Sequence, residues 1–184
     1  MTSMLKISLM TLAIGAAFHS ANSNATVGQH EAITSAVNYC QAFTPGVSNT
    51  IRNRVIGSEN VGTAPIAVAC DLPVQVSDND VATDPSLKFA FIVLSNGGSA
   101  DVSISCTLLT GSPGLSTGDA YTATQTVVVP AGGINAVNFT STDNPNAGAT
   151  NLGNILAGVN CMLPPHTSIT ATDIGWDEDD GVGN

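Results

Sequence analysis

The sequence predicts an all-β protein, a two-sheet antiparallel sandwich of Greek-key or jelly-roll type with eight or nine strands and two disulfides. Its composition favours this class, because only 10% of the residues are charged while Gly, Ser, Thr, Asn, Ala and Val dominate, as in sandwiches with many turns. Several segments alternate apolar and polar residues with a period of two, which is typical of half-buried strands. Cys70, Cys106 and Cys161 fall on the apolar side of such segments, so we expect them to face the core.

The first 25 residues are predicted to be a signal peptide. Lys6 precedes an apolar run over 7–18, and Ser23 and Ala25 supply the small residues of a cleavage site. The run is shorter than the roughly 20 residues needed to cross a bilayer, which disfavours an N-terminal anchor helix. We therefore expect cleavage after Ala25, with 21–23 as a second candidate, and a secreted or periplasmic protein without a transmembrane segment.

The remainder, roughly 160 residues, is long enough for one domain with a real core. We expect a flexible N-terminal lead over 26–36, the sandwich over 37–176 and an acidic tail over 177–184. All 14 acidic residues follow the predicted signal peptide, and the resulting negative surface repels phosphate backbones. Nucleic acid is thereby excluded as a partner, whereas a protein or a glycan partner stays open.

Nine segments carry the strand pattern, and the turn signals between them suggest how they connect. The apolar segment 87–94 is predicted to be a central strand. The sequence NGG at 96–98 and the GG pair at 132–133 each predict a β-hairpin between the strands that flank them. The nine predicted strands are 37–43, 51–56, 66–72, 87–94, 100–109, 121–129, 134–140, 154–162 and 168–176.

Four cysteines in an exported chain most simply form two disulfides. Sequence order and strand phase favour Cys40 with Cys70, and Cys106 with Cys161. A zinc site is the competing interpretation. It is disfavoured because the cysteines are widely separated and the sequence contains no CxxC or HxxxH spacing.

Two acidic clusters are candidate calcium sites. Asp78, Asp80 and Asp84 lie in the loop SDNDVATDP, and Asp177 and Asp179 lie in the C-terminal run GWDEDD. Calcium takes six to eight oxygen ligands, but the loop spacing does not match an EF-hand and Asp is a common turn former. Turn formation and a solvated tail are therefore favoured, with calcium retained as an alternative and no other cofactor expected.

Residues suited to catalysis are sparse in this sequence. His30 and His166 are the only histidines after the signal peptide, and neither lies in a recognisable constellation with a nucleophile. A glycosidase would also need aromatic platforms for its sugar, and Trp176 is the only tryptophan. We predict that the protein is not an enzyme and has no catalytic residues.

The segments around three cysteines resemble those of short disulfide-stapled β-sandwich proteins exported by bacteria, whose function is unassigned. They are VACDLPV at 68–74, SISCTLL at 103–109 and NCMLPP at 160–165. The chain is also similar in size, export and disulfides to chaperone-assembled pilus subunits, which exchange a strand between neighbours, although residues 26–36 alternate poorly.

The sequence thus favours an exported, non-catalytic β-sandwich with a structural or binding role at the cell surface or in the extracellular space. A pilus- or fimbria-like subunit is the first alternative. A calcium-dependent or carbohydrate-binding module is the second.

Overall fold

The computed structural model describes residues 27–43, 50–73, 86–110, 121–144, 152 and 157–179. These ranges contain a short helix α1 (Ala36–Tyr39) and eleven strands, two more than the largest number predicted. The strands are β1 (Val27–Ser35), β2 (Cys40–Ala42), β3 (Ile51–Arg54), β4 (Gly57–Asn60), β5 (Ile66–Leu72), β6 (Ser86–Asn96), β7 (Val102–Thr110), β8 (Tyr121–Val129), β9 (Ile134–Thr140), β10 (Ala157–Leu163) and β11 (Thr167–Asp179). The helix is too short to cross a bilayer, and the described residues contain no longer apolar one.

The strands form two antiparallel sheets, which confirms the predicted sandwich. The front sheet has the order β3-β4-β11-β6-β9, and β1 pairs with β11 as well. β6 pairs with one edge of β11, and the other edge is divided between two strands. β4 pairs with Ser168 and Ile169, and β1 pairs with the stretch from Ala171 to Asp179. The back sheet has the order β2-β5-β10-β7-β8.

The core lies between the two sheets and follows from the alternation of the strands. In β5 and β7, every second residue is buried while its neighbours are at least partly exposed. Each large apolar side chain buried in this way contributes about 1.5–3 kcal/mol to folding. The largest fully buried side chains include Phe139, Leu87, Ile92, Leu94, Ile104, Leu108, Leu163, Ile169 and Ile174.

Both disulfides have the predicted pairing and both lie within the back sheet. Cys40 and Cys70 are directly paired residues of β2 and β5, and Cys106 and Cys161 are directly paired residues of β7 and β10. All four cysteines are consumed. The back sheet is therefore cross-linked to itself, and the two sheets are held together by packing and by the chain segments that connect them.

The hairpin prediction at 96–98 is wrong, because β6 and β7 belong to different sheets. The side chain of Asn96 is 2% exposed and points into the corner between the sheets. Its Nδ2 donates to the carbonyl oxygens of Ala100 (2.8 Å) and Val129 (3.1 Å), and its Oδ1 accepts from the Gly98 N–H (2.8 Å). These bonds satisfy a chain that turns from one sheet to the other, so NGG builds a corner here and not a hairpin.

A second corner of the same design connects β4 to β5. Asn60 is fully buried, donates to the carbonyl oxygens of Ala64 and Leu163 (both 2.9 Å), and accepts from the Gly62 N–H (2.9 Å). The two corners correspond to a repeat in the sequence, NVGTAPIAVAC at 60–70 and NGGSADVSISC at 96–106. Each asparagine thus precedes, by the same interval, a cysteine of the back sheet.

The second hairpin prediction, at 132–133, is wrong for a related reason. β8 lies in the back sheet and β9 in the front sheet, so the turn also crosses between the sheets. The Gly133 N–H donates to the carbonyl oxygen of Pro130 (2.9 Å), and Gly132 has a φ of 64°, which favours glycine.

The N-terminal lead, predicted to be flexible, is instead a strand. β1 pairs with β11 over nine residue pairs, from Val27 opposite Asp179 to Ser35 opposite Ala171. The weak alternation of 26–36 concealed this strand, whereas pairing satisfies an edge of β11 that would otherwise be open. The start of the predicted acidic tail, up to Asp179, also belongs to β11, and the predicted signal peptide and residues 180–184 lie outside the described residues.

Candidate functional site

A cleft of about 310 Å³ opens on the front sheet, at the end where β1, β11 and β6 run side by side. We call it the end cleft. It combines aromatic, acidic, basic and amide groups. Its lining residues are Gln29, His30, Glu31, Lys88, Phe89, Gly175, Trp176 and Asp177.

The aromatic wall of the end cleft depends on a glycine. The ring of Phe89 lies over Gly175, so closely that any Cβ at position 175 would collide with the ring. The edge of Phe89 also meets the ring of Phe91, with centroids 5.5 Å apart and planes at 69°. Glycine on β11 therefore allows a half-buried phenyl ring to lie flat against the sheet.

An ion pair stands beside this ring. Lys88 Nζ donates to Asp177 Oδ2 at 2.7 Å, and the two side chains are 30% and 18% exposed. A β-bulge creates the contact, because Phe89 pairs with Gly175 and the next paired residue on β6 is Leu87, opposite Trp176, which leaves Lys88 between them. The other oxygen, Asp177 Oδ1, is buried and has no hydrogen-bond partner among the described residues.

Two stacked rings support the cleft from the core side. His30 on β1 is opposite Trp176 on β11, and their rings lie 5.5 Å apart with an angle of 17°. Trp176 is only 5% exposed, and its Nε1 is buried without a hydrogen-bond partner among the described residues. The stack fixes the position of β1 against β11 and thereby the width of the cleft.

Two carboxyl groups meet next to the end cleft, on the same outer face. Burial raises the pKa of Asp173, and the negative charge of Glu31 and a hydrogen bond between the two carboxyl groups raise this pKa further. A hydrogen bond between two carboxyl groups requires a proton on one of them. This face therefore favours the protonated form of Asp173 more than water does.

The structure brings only part of the predicted site residues into the cleft. Asp177 lines it but is bonded to Lys88, while the side chain of Asp179 and the loop carrying Asp78, Asp80 and Asp84 lie outside the described residues. Within the described ranges, no three His, Cys, Asp or Glu side chains are close enough to share a metal ion. A calcium site in the loop stays a prediction.

Sequence reasoning missed Glu31, Lys88, Phe89 and Gly175. Phe89 lies in the segment 87–94, which the sequence predicts to be a central strand, and a bulge that redirects Lys88 has no signature in the sequence. His30 was placed in a flexible lead, so its stacking on Trp176 was not foreseen. The one usable signal was Gly175, because a glycine inside a strand often marks a close approach of another group.

No protein-family model matches the chain, and no curated protein matches it in sequence. Among solved structures, the chain is similar to an exo-β-1,3-galactanase from Phanerochaete chrysosporium, with a TM-score of 0.39 and 11% identity over 81% of this chain. The similarity spans 29% of the galactanase.

Two carbohydrate-binding modules are similar at the same level. The family 11 module from Clostridium thermocellum gives a TM-score of 0.35 and 12% identity, covering 82% of this chain and 87% of the module. TmCBM61 gives 0.31 and 7%, covering 81% and 84%. Scores this low transfer no function to this chain.

Proposed function

We propose that this protein binds a glycan in the end cleft and does not convert it chemically. One observation carries the proposal: the half-buried ring of Phe89 stands beside the ion pair of Lys88 with Asp177. A sugar ring presents C–H groups to an aromatic face and hydroxyl groups to charged donors and acceptors at its rim. The cleft volume, about 310 Å³, lies at the lower end of the range for small-ligand sites.

The carboxyl groups near the cleft support binding in preference to hydrolysis. A glycosidase places two carboxyl groups on either side of the scissile bond, at least about 5 Å apart. Glu31 and Asp173 are instead hydrogen-bonded to each other, and Asp177 is held by Lys88. Each of these acidic groups is therefore engaged with a neighbouring side chain and not arranged as a general acid opposite a nucleophile.

The proposed location is extracellular or periplasmic. The two disulfides support it, because such bonds persist in oxidising compartments, and so does the signal peptide predicted from the sequence. A glycan-binding sandwich in this location would bind polymers that lie outside the cytoplasm.

The proposal is tested by affinity electrophoresis of the oxidised mature protein in gels containing mixed-linkage β-1,3-1,4-glucan, β-1,4-galactan or xylan. We expect at least one of these neutral polymers to retard the protein. Phe89→Ala should weaken that binding about tenfold, because an aromatic contact is worth on the order of 1.5 kcal/mol.

Two further variants separate loss of the site from loss of the fold. Gly175→Ala keeps every polar group of the cleft but displaces the Phe89 ring, so it should weaken binding as Phe89→Ala does. Val128→Thr changes a side chain that is 53% exposed on the back sheet and should bind like the wild type. Wild-type affinity in Phe89→Ala, or no retardation by any of the three polymers, would show that the proposal is wrong.

A further inference from the structure

We infer that the ligand is an extended neutral oligosaccharide lying along β11, with a second subsite at the opposite end of the front sheet. This inference rests on the proposed function and adds to it a ligand length and a second contact region. Its evidence is a second cavity, the position of both cavities along β11, and the charge of the outer face between them.

The second cavity, of about 270 Å³, lies at the end of the front sheet near the Asn96 corner. We call it the corner cavity. Arg54 Nε binds the carboxylate of Glu59 there, and the hydroxyl oxygens of Ser95 and Ser168 are 2.6 Å apart. His166 lies at the rim, exposed, with a φ of 63°.

The two cavities offer the same kinds of group to a ligand. The end cleft has the pair Lys88 and Asp177 beside the ring of Phe89, and the corner cavity has the pair Arg54 and Glu59 beside an imidazole ring. The basic side chains are 30% and 47% exposed, so a ligand reaches both. Two sugar units of one polymer present the same groups, so two cavities with the same kinds of side chain can each bind one unit.

β11 runs between the two cavities, and its outer face lies between them. Asp173 lies on this outer face, because its neighbours Thr172 and Ile174 are buried. It pairs with Phe91 on β6 and with Ile33 on β1, whose side chain is 70% exposed. The outer face of β11 therefore offers a carboxyl group between apolar side chains to a ligand that extends from one cavity to the other.

The distance between the two cavities sets the size of the ligand. Ser168 in the corner cavity and Gly175 in the end cleft are both on β11, about 23 Å apart at roughly 3.3 Å per residue. One sugar ring cannot contact both cavities over this distance. An oligosaccharide of several units is required. Its second contact adds to the affinity, because the translational and rotational entropy of the ligand is already lost on the first contact.

The charge of the outer face of β11 and β1 selects a neutral chain. Glu31 and Asp173 lie on this face, and the protein as a whole has a formal charge of −10. Uronate or sulfate groups would be repelled by these carboxyl groups, which are only partly screened at short range. Neutral hydroxyl groups bind without this repulsion.

The inference is tested by calorimetric titration of the oxidised mature protein with cellotriose, cellohexaose, β-1,4-galactotriose and β-1,4-galactohexaose. We expect the hexamer of the preferred series to bind about tenfold more tightly than its trimer, because only the hexamer reaches both cavities. His166→Gly removes the imidazole ring and tolerates the positive φ. It should weaken hexamer binding about fivefold and leave trimer binding unchanged.

Each outcome separates the two proposals. Equal affinities for trimer and hexamer, or unchanged hexamer affinity in His166→Gly, would overturn the corner subsite and leave glycan binding in the end cleft intact. Tighter binding of a hexagalacturonate than of the neutral hexamers would overturn the neutral ligand. Failure of all four neutral oligosaccharides to bind would overturn the proposed function, and the inference with it. Val128→Thr is the control expected to match the wild type throughout.

Discussion

The two sheets of this sandwich are stabilised by different means. The back sheet contains both disulfides, each between paired residues of neighbouring strands. The front sheet contains no covalent cross-link, and its strand β1 is held by nine backbone pairs with β11 and by the stack of His30 on Trp176. The covalent constraints therefore lie in one sheet and the candidate binding cleft in the other.

Their outer faces differ in the same sense. On the back sheet, Ser105 and Thr126 are hydrogen-bonded at 2.6 Å and Thr107 and Thr124 at 2.8 Å, so these hydroxyl groups satisfy one another. On the front sheet, Asp173 and Asp177 each have one carboxyl oxygen buried without a partner among the described residues, and on the back sheet the side-chain oxygen of Asn160 is in the same position. Groups with remaining hydrogen-bonding capacity can recognise a ligand. Carboxyl oxygens of this kind thus lie on the front sheet beside the end cleft, whereas the covalent constraints lie in the back sheet.

The largest expected effect on stability comes from removing a disulfide of the back sheet. Cys106→Ala with Cys161→Ala opens a loop with a sequence separation of 55, and the chain-entropy model gives a loss of about 4 kcal/mol in the free energy of unfolding. Removing Cys40 and Cys70, with a separation of 30, should cost somewhat less. Urea denaturation of the oxidised variants measures both losses.

The same variants challenge the division between the sheets. If the front sheet owes its geometry to packing alone, each folded double variant should bind glycan as the wild type does at a temperature well below its Tm. Loss of binding at that temperature would mean that the staples also position the end cleft. A greater loss of stability for the Cys40 and Cys70 pair would contradict the loop-length argument.

The next largest effect is expected at the corners that join the sheets. Asn96→Ala removes the donor to the carbonyl oxygens of Ala100 and Val129 and the acceptor of the Gly98 N–H. The bond to Val129 is buried, and a buried group left unsatisfied costs about 1–3 kcal/mol. We expect a loss of about 3 kcal/mol, and a similar loss for Asn60→Ala. Asn135→Ala is the matched control, because Asn135 is exposed and also donates to a backbone carbonyl. Equal losses for Asn96→Ala and Asn135→Ala would refute the corner role.

These corners show where sequence reasoning succeeded and where it failed. Alternation around Cys70, Cys106 and Cys161 was sufficient for the strands, the core face and the disulfide pairing, because those properties depend on local period and on chain order. The NGG sequence at 96–98 was assigned to a hairpin, since a turn signal says that the chain reverses and not which sheet it enters next. The repeated spacing from asparagine to cysteine was the signal that could have shown the corner.

The candidate site was less predictable than the fold. Its ring and ion pair come from two strands distant in sequence, β6 and β11, and the register shift that places Lys88 beside Asp177 falls between Gly175 and Trp176. β1 was missed because residues such as Gln29 and His30 do not alternate in hydropathy, although β1 pairs with β11 over nine residues. Local patterns thus predict the back sheet better than the candidate site on the front sheet.

The smallest expected effect concerns the carboxyl pair on the front sheet. The pKa of Asp173 is raised in the folded protein, by burial first and then by Glu31, so the folded state binds a proton more tightly than the unfolded state. By linkage, the free energy of unfolding falls as the pH rises from 3.8, the ordinary pKa of this carboxyl group, to its raised pKa in the folded state. Above the raised pKa, the contribution of this proton to stability is lost completely. Asp173→Asn should therefore be slightly more stable than the wild type at pH 7 and should lack this part of the pH dependence.

Thermal melts between pH 4 and pH 7 measure the difference. The control is Asp143→Asn, which changes a carboxylate bonded to Gln125 elsewhere in the fold. A destabilised Asp173→Asn at pH 7 would mean that the charge of Asp173 stabilises the front sheet. The carboxyl pair of Asp173 and Glu31 would then serve the stability of the fold and not the binding of a ligand.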